Sequence, residues 1–287
     1  MPNGRPCWRG WATELPVDIG WTLVAELLAL GTAVGFLAGL LGIGGGMMLV
    51  PVLTLLLSQR GVEPGHAVKM AIATSMATIL FTSLSSVREH HRLGAVRWDL
   101  AATLSPGIVI GGLLAGAGAF AVLKGQGLAL FFAVFIGWSA LRMLQDRKPQ
   151  PGRQLPGRVG QTGVGAGIGF VSGLLGAGGA FLSVPFMTWC NVPVRQAVGT
   201  SAALGFPIAA ASTLGYAISG WGQPSALPGA VGWFYLPALV LVALASVSLA
   251  PLGARTAQRI DVRWLRRLFA LLLFGLAATM LHKAWAG

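Results

Sequence analysis

The order of apolar and polar residues along the chain predicts a series of membrane-spanning helices. Glu26 is the only charged residue between Ile19 and Ser58, and no charged residue occurs from Leu100 to Leu123 or from Gln196 to Ala254. A helix needs about 20 predominantly apolar residues to cross a bilayer, so these runs are long enough for several spans. With the shorter runs, the pattern predicts eight hydrophobic elements; the shorter runs are 70–87, 125–141, 159–194 and 268–281.

The chain contains an internal repeat. Residues 35–54, GFLAGLLGIGGGMMLVPVLT, align with residues 169–188, GFVSGLLGAGGAFLSVPFMT, and eleven of the twenty positions are identical. Downstream, KMAIATS at 69–75 aligns with RQAVGTS at 195–201. Each half therefore has a Gly-rich, broken hydrophobic segment followed by three further helices.

The basic loops indicate how the two halves are oriented. Arg88, Arg92 and Arg97 follow the second element of the first half, whereas the matching loop of the second half, 220–228, carries no charge. At the next loop the pattern is reversed: Lys124 stands alone in the first half, and 255–267 of the second half contains five arginines. Cytoplasmic loops of membrane proteins are enriched in Lys and Arg, which favours halves of opposite orientation.

Opposite orientation requires an odd number of crossings in each half. It follows if 30–57 and 163–190 are re-entrant, which leaves three full spans per half. If each broken segment crosses fully, the repeats are parallel and the 255–267 loop lies outside; this alternative stays open, since loop-charge rules have exceptions. The predicted fold class is an all-α polytopic transmembrane bundle of two inverted-topology repeats, with an N-terminal segment at 1–20, repeats at 21–145 and 161–287, and a basic cytoplasmic linker at 146–160.

Composition supports a membrane protein and excludes a nucleic-acid partner. The chain is 55% hydrophobic and only 10% charged, with a mean hydropathy of +0.73. The net charge is +12, but thirteen of the twenty Lys and Arg residues occur in the three connecting segments, where they set membrane orientation. Cys7 and Cys190 lie far apart and indicate neither a disulfide framework nor a zinc site. No metal or cofactor is expected.

The glycines of the broken segments are the first candidate site. Discontinuous helices at membrane depth are tolerated where they line a cavity, and a helix N-terminus attracts anions. Glycines 31, 35 and 39, like 165, 169 and 173, have the spacing of a helix-packing face. The denser glycines predict either a binding loop or close packing: Gly42, Gly44, Gly45, Gly176, Gly178 and Gly179. We assign Gly42 and Gly176 as hinges, together with Pro51 and Pro185, which shape the returning limb.

The second repeated element combines a cation with two hydroxyls. Lys69 is followed by Thr74 and Ser75, and Arg195 by Thr200 and Ser201. Five residues of helix rise about 7.5 Å, so the hydroxyls lie deeper than the cation and can donate to an oxyanion. The alternative is that the cations are interfacial anchors and the hydroxyls bond to their own helices.

Other polar residues are weaker candidates. His90 and His91 lie in a basic segment and are expected to be solvated. Glu26 is the only acid in a predicted span and is a candidate proton carrier, although it lies near the start of its helix. No catalytic motif is present, so an enzyme is not expected.

The paired motifs GFLAGLLGIGGGMMLVP and GFVSGLLGAGGAFLSVP, followed by ATS and GTS, resemble the TauE/SafE family of sulfite exporters over residues 28–284. The resemblance implies a multi-pass protein of the bacterial inner membrane that moves small sulfur-containing anions. It places the anion near Gly44, Gly45, Gly178 and Gly179, with Thr74, Ser75, Thr200 and Ser201 around it. Uptake of a related anion, a non-transporting membrane subunit and a membrane enzyme remain as alternatives, and the oligomeric state stays open.

Overall fold

A computed structural model describes residues 20–41, 45–145, 154–224, 227–257 and 263–286. In the first half, α1 and α2 are separated by the glycine-rich break, and α3, α4 and α6 follow. A π-helical segment, Leu114–Ala119, and the short helix α5 continue α4. The helices of the first half are α1 (Trp21–Leu41), α2 (Gly46–Gln59), α3 (Pro64–Arg92), α4 (Trp98–Leu113), α5 (Phe120–Val122) and α6 (Gly125–Leu144).

The second half repeats this order. Its helices are α7 (Arg158–Leu175), α8 (Ala180–Trp189), α9 (Val194–Ser219), α10 (Leu236–Ala257) and α11 (Arg263–Ala286). A small antiparallel hairpin, β1 (Ala230–Val231) and β2 (Phe234–Tyr235), lies between α9 and α10. The prediction of an all-α bundle is therefore confirmed, with a short hairpin added. Six described helices are long and apolar enough to span a membrane: α1, α3, α4 with α5, α6, α9 and α10.

The chain reverses direction at the break between α1 and α2. A Cβ on Gly45, at the start of α2, would contact Val34 and Ala38, which lie before the end of α1. Gly39, near the end of α1, contacts His90, near the end of α3, so α1 and α3 end on the same side of the bundle. The connection from α2 to α3 is only four residues, 60–63, and the two helices pack together as an antiparallel pair. α2 thus returns toward the end at which α1 begins.

The second break has the same geometry. A Cβ on Gly179, at the start of α8, would contact Ile168 and Ser172 of α7. Ser183 of α8 and Ser201 of α9 are hydrogen-bonded, and both lie within two turns of the α8–α9 connection, so these helices are antiparallel. Each half thus has the same arrangement of a broken helix pair and three further helices.

Each half packs its first helix against the other half. α1 lies along α10, and α7 lies along α4, while α3 packs against α9 and α6 against α11. Glycines make the close approaches: a Cβ on Gly35 would overlap the backbone of Ser246, and a Cβ on Gly169 would overlap the backbone of Ile108. The predicted packing faces on α1 and α7 are therefore confirmed, and helices can approach closely wherever such small residues face a neighbour.

The bundle has two chemically different ends. At the hairpin end, Gly125 at the start of α6 lies against Gly65 at the start of α3. At the basic end, Arg195 at the start of α9 donates to the Leu93 carbonyl just after α3, at 3.1 Å. Exposed tryptophans occur at both ends, Trp21 and Trp221 at the hairpin end and Trp98 and Trp189 at the basic end. Among the residues with described side chains, the cations of the basic end include Arg88, Arg92, Arg97, Arg142, Arg158, Arg195 and Arg255.

Candidate functional site

The two returning helices begin in the same backbone conformation. Gly45 precedes α2 with a φ of 73° and Gly179 precedes α8 with a φ of 76°, the left-handed region that favours glycine. Neither N-terminus has a side-chain cap. Gly178 is buried in the second break, whereas Gly42 and Gly44 lie outside the described residues. The described N-termini thus present backbone N–H groups at buried glycines, a geometry suited to an anion.

The breaks of the two halves meet in the interior of the bundle. A Cβ on Gly46 would overlap the carbonyl of Gly176 and crowd Ala177. This contact explains why position 46 is glycine although its counterpart in the second repeat is Ala180. Gly176 itself packs against Val50 of α2 and Ile72 of α3. The start of the second break therefore packs against α2 and α3 of the first half.

The hydroxyls of Ser75 in α3 and Ser201 in α9 connect these two helices to the second break and the helix that follows it. Ser75 donates to the Gly176 carbonyl at 3.0 Å, and the Oγ atoms of Ser183 and Ser201 are 3.0 Å apart. All three serines are buried. The bond from Ser75 also satisfies a carbonyl that the broken helix cannot pair, which is required at membrane depth.

The two threonines bind the other half of the chain. Thr74 accepts a hydrogen bond from the Tyr235 backbone N–H, and Thr200 accepts one from the Arg97 backbone N–H, both at 3.0 Å. Tyr235 directly precedes α10 and Arg97 directly precedes α4, so the two bonds are equivalent in the repeats. In this structure both threonines, which are fully buried, connect the halves.

In each half, a polar aromatic side chain forms a hydrogen bond with the end of the helix that precedes the break. The His90 Nε2 atom lies 3.1 Å from the Gly39 carbonyl, and the Tyr216 hydroxyl donates to the Gly173 carbonyl. Both carbonyls belong to the last turn of α1 or α7, where no intrahelical donor is available. The expectation that His90 is solvated is wrong, because its side chain is fully buried in α3. The repeat itself carried this signal, since His90 aligns with Tyr216 in the KMAIATS/RQAVGTS register.

The two predicted cations lie at opposite ends of the bundle. Lys69 is half-buried at the hairpin end, where its Nζ atom lies 5.4 Å from the Phe120 ring centroid and 5.1 Å from that of Trp233. Arg195 is exposed at the basic end. The structure therefore brings together the breaks and the serines but separates the two cations from each other.

Both predicted prolines lie inside the returning helices. Pro51 is the sixth residue of α2, and Pro185 is the sixth residue of α8. A proline inside a helix removes one backbone donor and bends the helix. Because the two prolines occupy matching positions, α2 and α8 lack a backbone donor at the same point.

Sequence reasoning also missed a charged contact between the halves. Glu89, at the end of α3, is largely buried, and its Oε1 atom lies 2.8 Å from the Arg255 Nε atom of α10. Arg92 lies 3.7 Å from the same carboxylate. Only the packing of α3 against α10 reveals this pair, because its members are 166 residues apart. Glu26, by contrast, is exposed on the second turn of α1.

Comparison with known proteins identifies a family of membrane proteins that covers nearly the whole chain. Residues 27–280 match the family model described as sulfite exporter TauE/SafE. No solved structure gives a significant match.

Several relatives are similar over most or all of their own length. A probable membrane transporter protein of Haemophilus influenzae is 33% identical over 92% of this chain and 100% of its own length. A probable membrane transporter protein of Methanocaldococcus jannaschii is 24% identical over 88% of this chain and 92% of its own. The family and these names indicate a membrane transporter rather than an enzyme.

Proposed function

Because the chain belongs to the sulfite exporter TauE/SafE family, we propose that it exports small sulfur-containing anions, of the sulfite and organosulfonate type, across the bacterial inner membrane. The observation that carries this proposal is the contact of the two glycine-rich breaks in the interior of the bundle, where Gly46 lies against Gly176. Transporters commonly place their substrate sites between repeats at such discontinuous helices.

The proposed anion site lies between the two returning helices. Backbone N–H groups near Gly44, Gly45, Gly178 and Gly179 supply the positive ends of the helix dipoles. The hydroxyls of Thr74, Thr200 and Ser201 supply further polar groups without the cost of a buried charge. The Ser75 hydroxyl donates to the anion in place of the Gly176 carbonyl, to which it is bonded in this structure. Lys69 and Arg195 attract the anion at the two mouths.

Substrate access requires a change in the packing of the two halves. The four hydroxyl-bearing residues of the proposed site have no exposed surface; they are Thr74, Ser75, Thr200 and Ser201. We propose alternating access, in which the halves, inverted relative to each other in the membrane, expose the site to each side in turn. The hydrogen bonds of Thr74 with Tyr235 and of Thr200 with Arg97 are suited to opening and closing the site, since each links the two halves on one side of it.

Membrane potential favours the outward direction for an anion. With a negative cytoplasm, each unit of negative charge gains about 2.3 kcal/mol per 100 mV on leaving. Export therefore needs no coupled ion. Uptake of a related anion would use the same architecture with a different driving force.

Flux from proteoliposomes tests the function directly. Vesicles that contain the purified protein are loaded with sulfite, sulfoacetate, thiosulfate or sulfate, and a potential is imposed with potassium and valinomycin. We expect potential-dependent efflux of sulfite or sulfoacetate that is absent from protein-free vesicles. Absence of efflux for all four anions, from protein that remains folded, would reject the proposed export.

Variants of the central serines test the site. Ser75→Ala and Ser201→Ala each remove one buried hydroxyl, and each is expected to lower the efflux rate by about tenfold, the effect of losing one hydrogen bond to a charged group. Ser248→Ala is the matched control, because this exposed hydroxyl of α10 bonds only to the Leu244 carbonyl of its own helix. Equal rates for Ser75→Ala, Ser201→Ala and the control would exclude the two serines from the site.

A further inference from the structure

A cavity of about 300 Å³ opens at the hairpin end of the bundle. It lies between the starts of α3 and α6 and the tip of the β-hairpin. We call this cavity the vestibule; its lining residues are Glu63, Gly65, His66, Lys69, Lys124, Gly125, Gln126 and Trp233.

The vestibule carries an excess of positive charge. Lys69 and Lys124 both line it, and Glu63 is the only carboxylate among the described residues of the lining. Glu63 is engaged elsewhere, because it accepts hydrogen bonds from the Gly65 and His66 backbone N–H groups and lies 3.0 Å from the His66 ring. Within the described part of the chain, no carboxylate lies within ion-pair distance of the Lys69 ammonium. Its charge is thus available to an anion.

Aromatic rings hold the Lys69 ammonium in place. It lies over the rings of both Phe120 and Trp233, and Trp233 also packs against His66 with ring centroids 5.4 Å apart. Trp233 follows Gly232 in the turn of the hairpin, which positions the indole over the start of α3. The indole and the lysine stems give the vestibule an apolar wall next to its cationic groups.

The vestibule is connected to the proposed central site. Lys69 precedes Thr74 by five residues of α3, a rise of about 7.5 Å. The hairpin that carries Trp233 also donates the Tyr235 N–H to Thr74. Phe120, which also contacts Lys69, packs on Tyr216 with ring centroids 4.4 Å apart, and the Tyr216 hydroxyl bonds to the end of α7. An anion bound at Lys69 would therefore lie next to residues that are linked to Thr74 of the first half and to the end of α7 in the second half.

We propose that the vestibule is a binding site for small organic monoanions, in which the acidic headgroup pairs with Lys69 and the carbon body packs on Trp233. The volume supports a ligand larger than an inorganic oxyanion, because about 300 Å³ holds about ten water molecules at about 30 Å³ each. The proposal rests on the proposed transport of anions and narrows the substrate class toward sulfonates with a carbon body.

Equilibrium binding to the detergent-purified full chain tests the vestibule. Calorimetric titration uses ethanesulfonate as the probe, sulfate as the inorganic anion and 1-propanol as the neutral compound. We expect ethanesulfonate to bind more tightly than sulfate, and 1-propanol not to bind. Lys69→Gln is expected to weaken ethanesulfonate binding by about tenfold or more, as for loss of a charge-assisted bond, and Lys69→Arg to retain most of it.

Matched variants separate a local effect from a general loss of charge. Arg60→Gln removes one cation from the same end, outside the vestibule, and is expected to change ethanesulfonate affinity by less than about twofold. Trp233→Leu should weaken ethanesulfonate binding more than sulfate binding. Glu63→Gln should strengthen anion binding by about two- to threefold, because it removes the opposing charge.

Two results would overturn the vestibule proposal: equal affinity of the Lys69→Gln and Arg60→Gln variants for ethanesulfonate, or sulfate binding as tight as ethanesulfonate binding. Efflux measured on the same variants distinguishes this failure from failure of the proposed function. Unchanged binding in Lys69→Gln with intact efflux would reject the vestibule but not transport. Binding that depends on Lys69 in a protein with no anion efflux would reject transport and retain the vestibule.

Discussion

Individual polar residues make a broken backbone tolerable in the interior of this bundle. The Gly39 and Gly173 carbonyls are bound by His90 and Tyr216, and the Gly176 carbonyl is bound by Ser75. In lipid no water is available to pair such groups, and each unpaired one costs several kcal/mol. The side chains near the breaks thus have a structural role in this packing, whether or not they also contact substrate.

Removing the hydrogen-bond donor at either helix end should destabilise the protein. His90→Ala and Tyr216→Phe each leave a buried carbonyl without its donor, which costs about 1–3 kcal/mol. Thermal unfolding in detergent should show a lower apparent Tm for both variants. His91→Ala is the control for His90→Ala, because His91 is exposed and adjacent in sequence. An apparent Tm of His90→Ala equal to that of His91→Ala would contradict the assigned role.

Glu63 should stabilise the start of α3 in a pH-dependent way. The hydrogen bond with the His66 ring, together with those from the Gly65 and His66 backbone N–H groups, lowers the pKa of Glu63. A carboxyl with a lowered pKa in the folded state stabilises the protein at neutral pH, and this contribution is lost as the pH falls through that lowered pKa.

The measurement compares the wild type with Glu63→Ala. At neutral pH the variant should lose about 1 kcal/mol or less of unfolding free energy, since Glu63 is a largely exposed N-cap. The difference in apparent Tm should shrink as the pH is lowered below the ordinary carboxyl range. A difference that grows on acidification would show that the carboxylate is not the stabilising form.

At the level of helices, the glycine faces determine how closely the halves approach. Gly35 of α1 faces the backbone of Ser246 in α10, where a Cβ would overlap main-chain atoms. Gly137 of α6 has no atom within 4 Å of the position of an added Cβ. The two sites therefore form a matched pair within transmembrane helices.

Alanine at these two positions should have opposite effects. Gly35→Ala forces α1 away from α10 and is expected to destabilise the bundle by about 1–3 kcal/mol, as for overpacking of a core. Gly137→Ala is expected to be neutral or stabilising by up to about 1 kcal/mol, because alanine favours the helix. Thermal unfolding in detergent compares them, and equal apparent Tm values would contradict close packing of α1 on α10.

The sequence predicted the helices better than their contacts. Uninterrupted apolar runs and the repeat indicated eight elements, and these correspond to two broken pairs and six further helices. The repeat also placed Thr74 and Thr200 at equivalent positions. It did not reveal that each threonine accepts an N–H from the opposite half, nor that Glu89 pairs with Arg255, because such contacts depend on how α3, α4, α9 and α10 cross.

Asymmetry between the halves was visible in sequence, but its cause was not. Gly46 faces the second break, and Gly199 faces the Ala95 carbonyl, so neither position has room for a Cβ. Their counterparts, Ala180 and Ala73, carry a Cβ and are also buried. The vestibule also occurs at the hairpin end, and the described part of the first half has no hairpin at the equivalent position between α3 and α4.

For the whole molecule, the distribution of charge over the two ends predicts the orientation in the membrane. The basic end carries seven arginines with described side chains: Arg88, Arg92, Arg97, Arg142, Arg158, Arg195 and Arg255. Among described side chains, the cations of the hairpin end are Arg60, Lys69 and Lys124. Positively charged loops favour the cytoplasmic side. We therefore predict that the basic end faces the cytoplasm and that the vestibule opens to the outside.

Cysteine labelling in intact cells tests this orientation. In a background with Cys7 and Cys190 replaced by serine, Gly222→Cys places a thiol in the uncharged loop of the hairpin end, and Arg158→Cys places one at the start of α7. A membrane-impermeant maleimide should label Gly222→Cys in whole cells and Arg158→Cys only after permeabilisation. A third thiol, Arg255→Cys, separates the two repeat topologies, because parallel repeats would put it outside. Labelling of Arg255→Cys in whole cells, with Arg158→Cys protected, would reject inverted repeats and with them the proposed alternation between two equivalent half-sites.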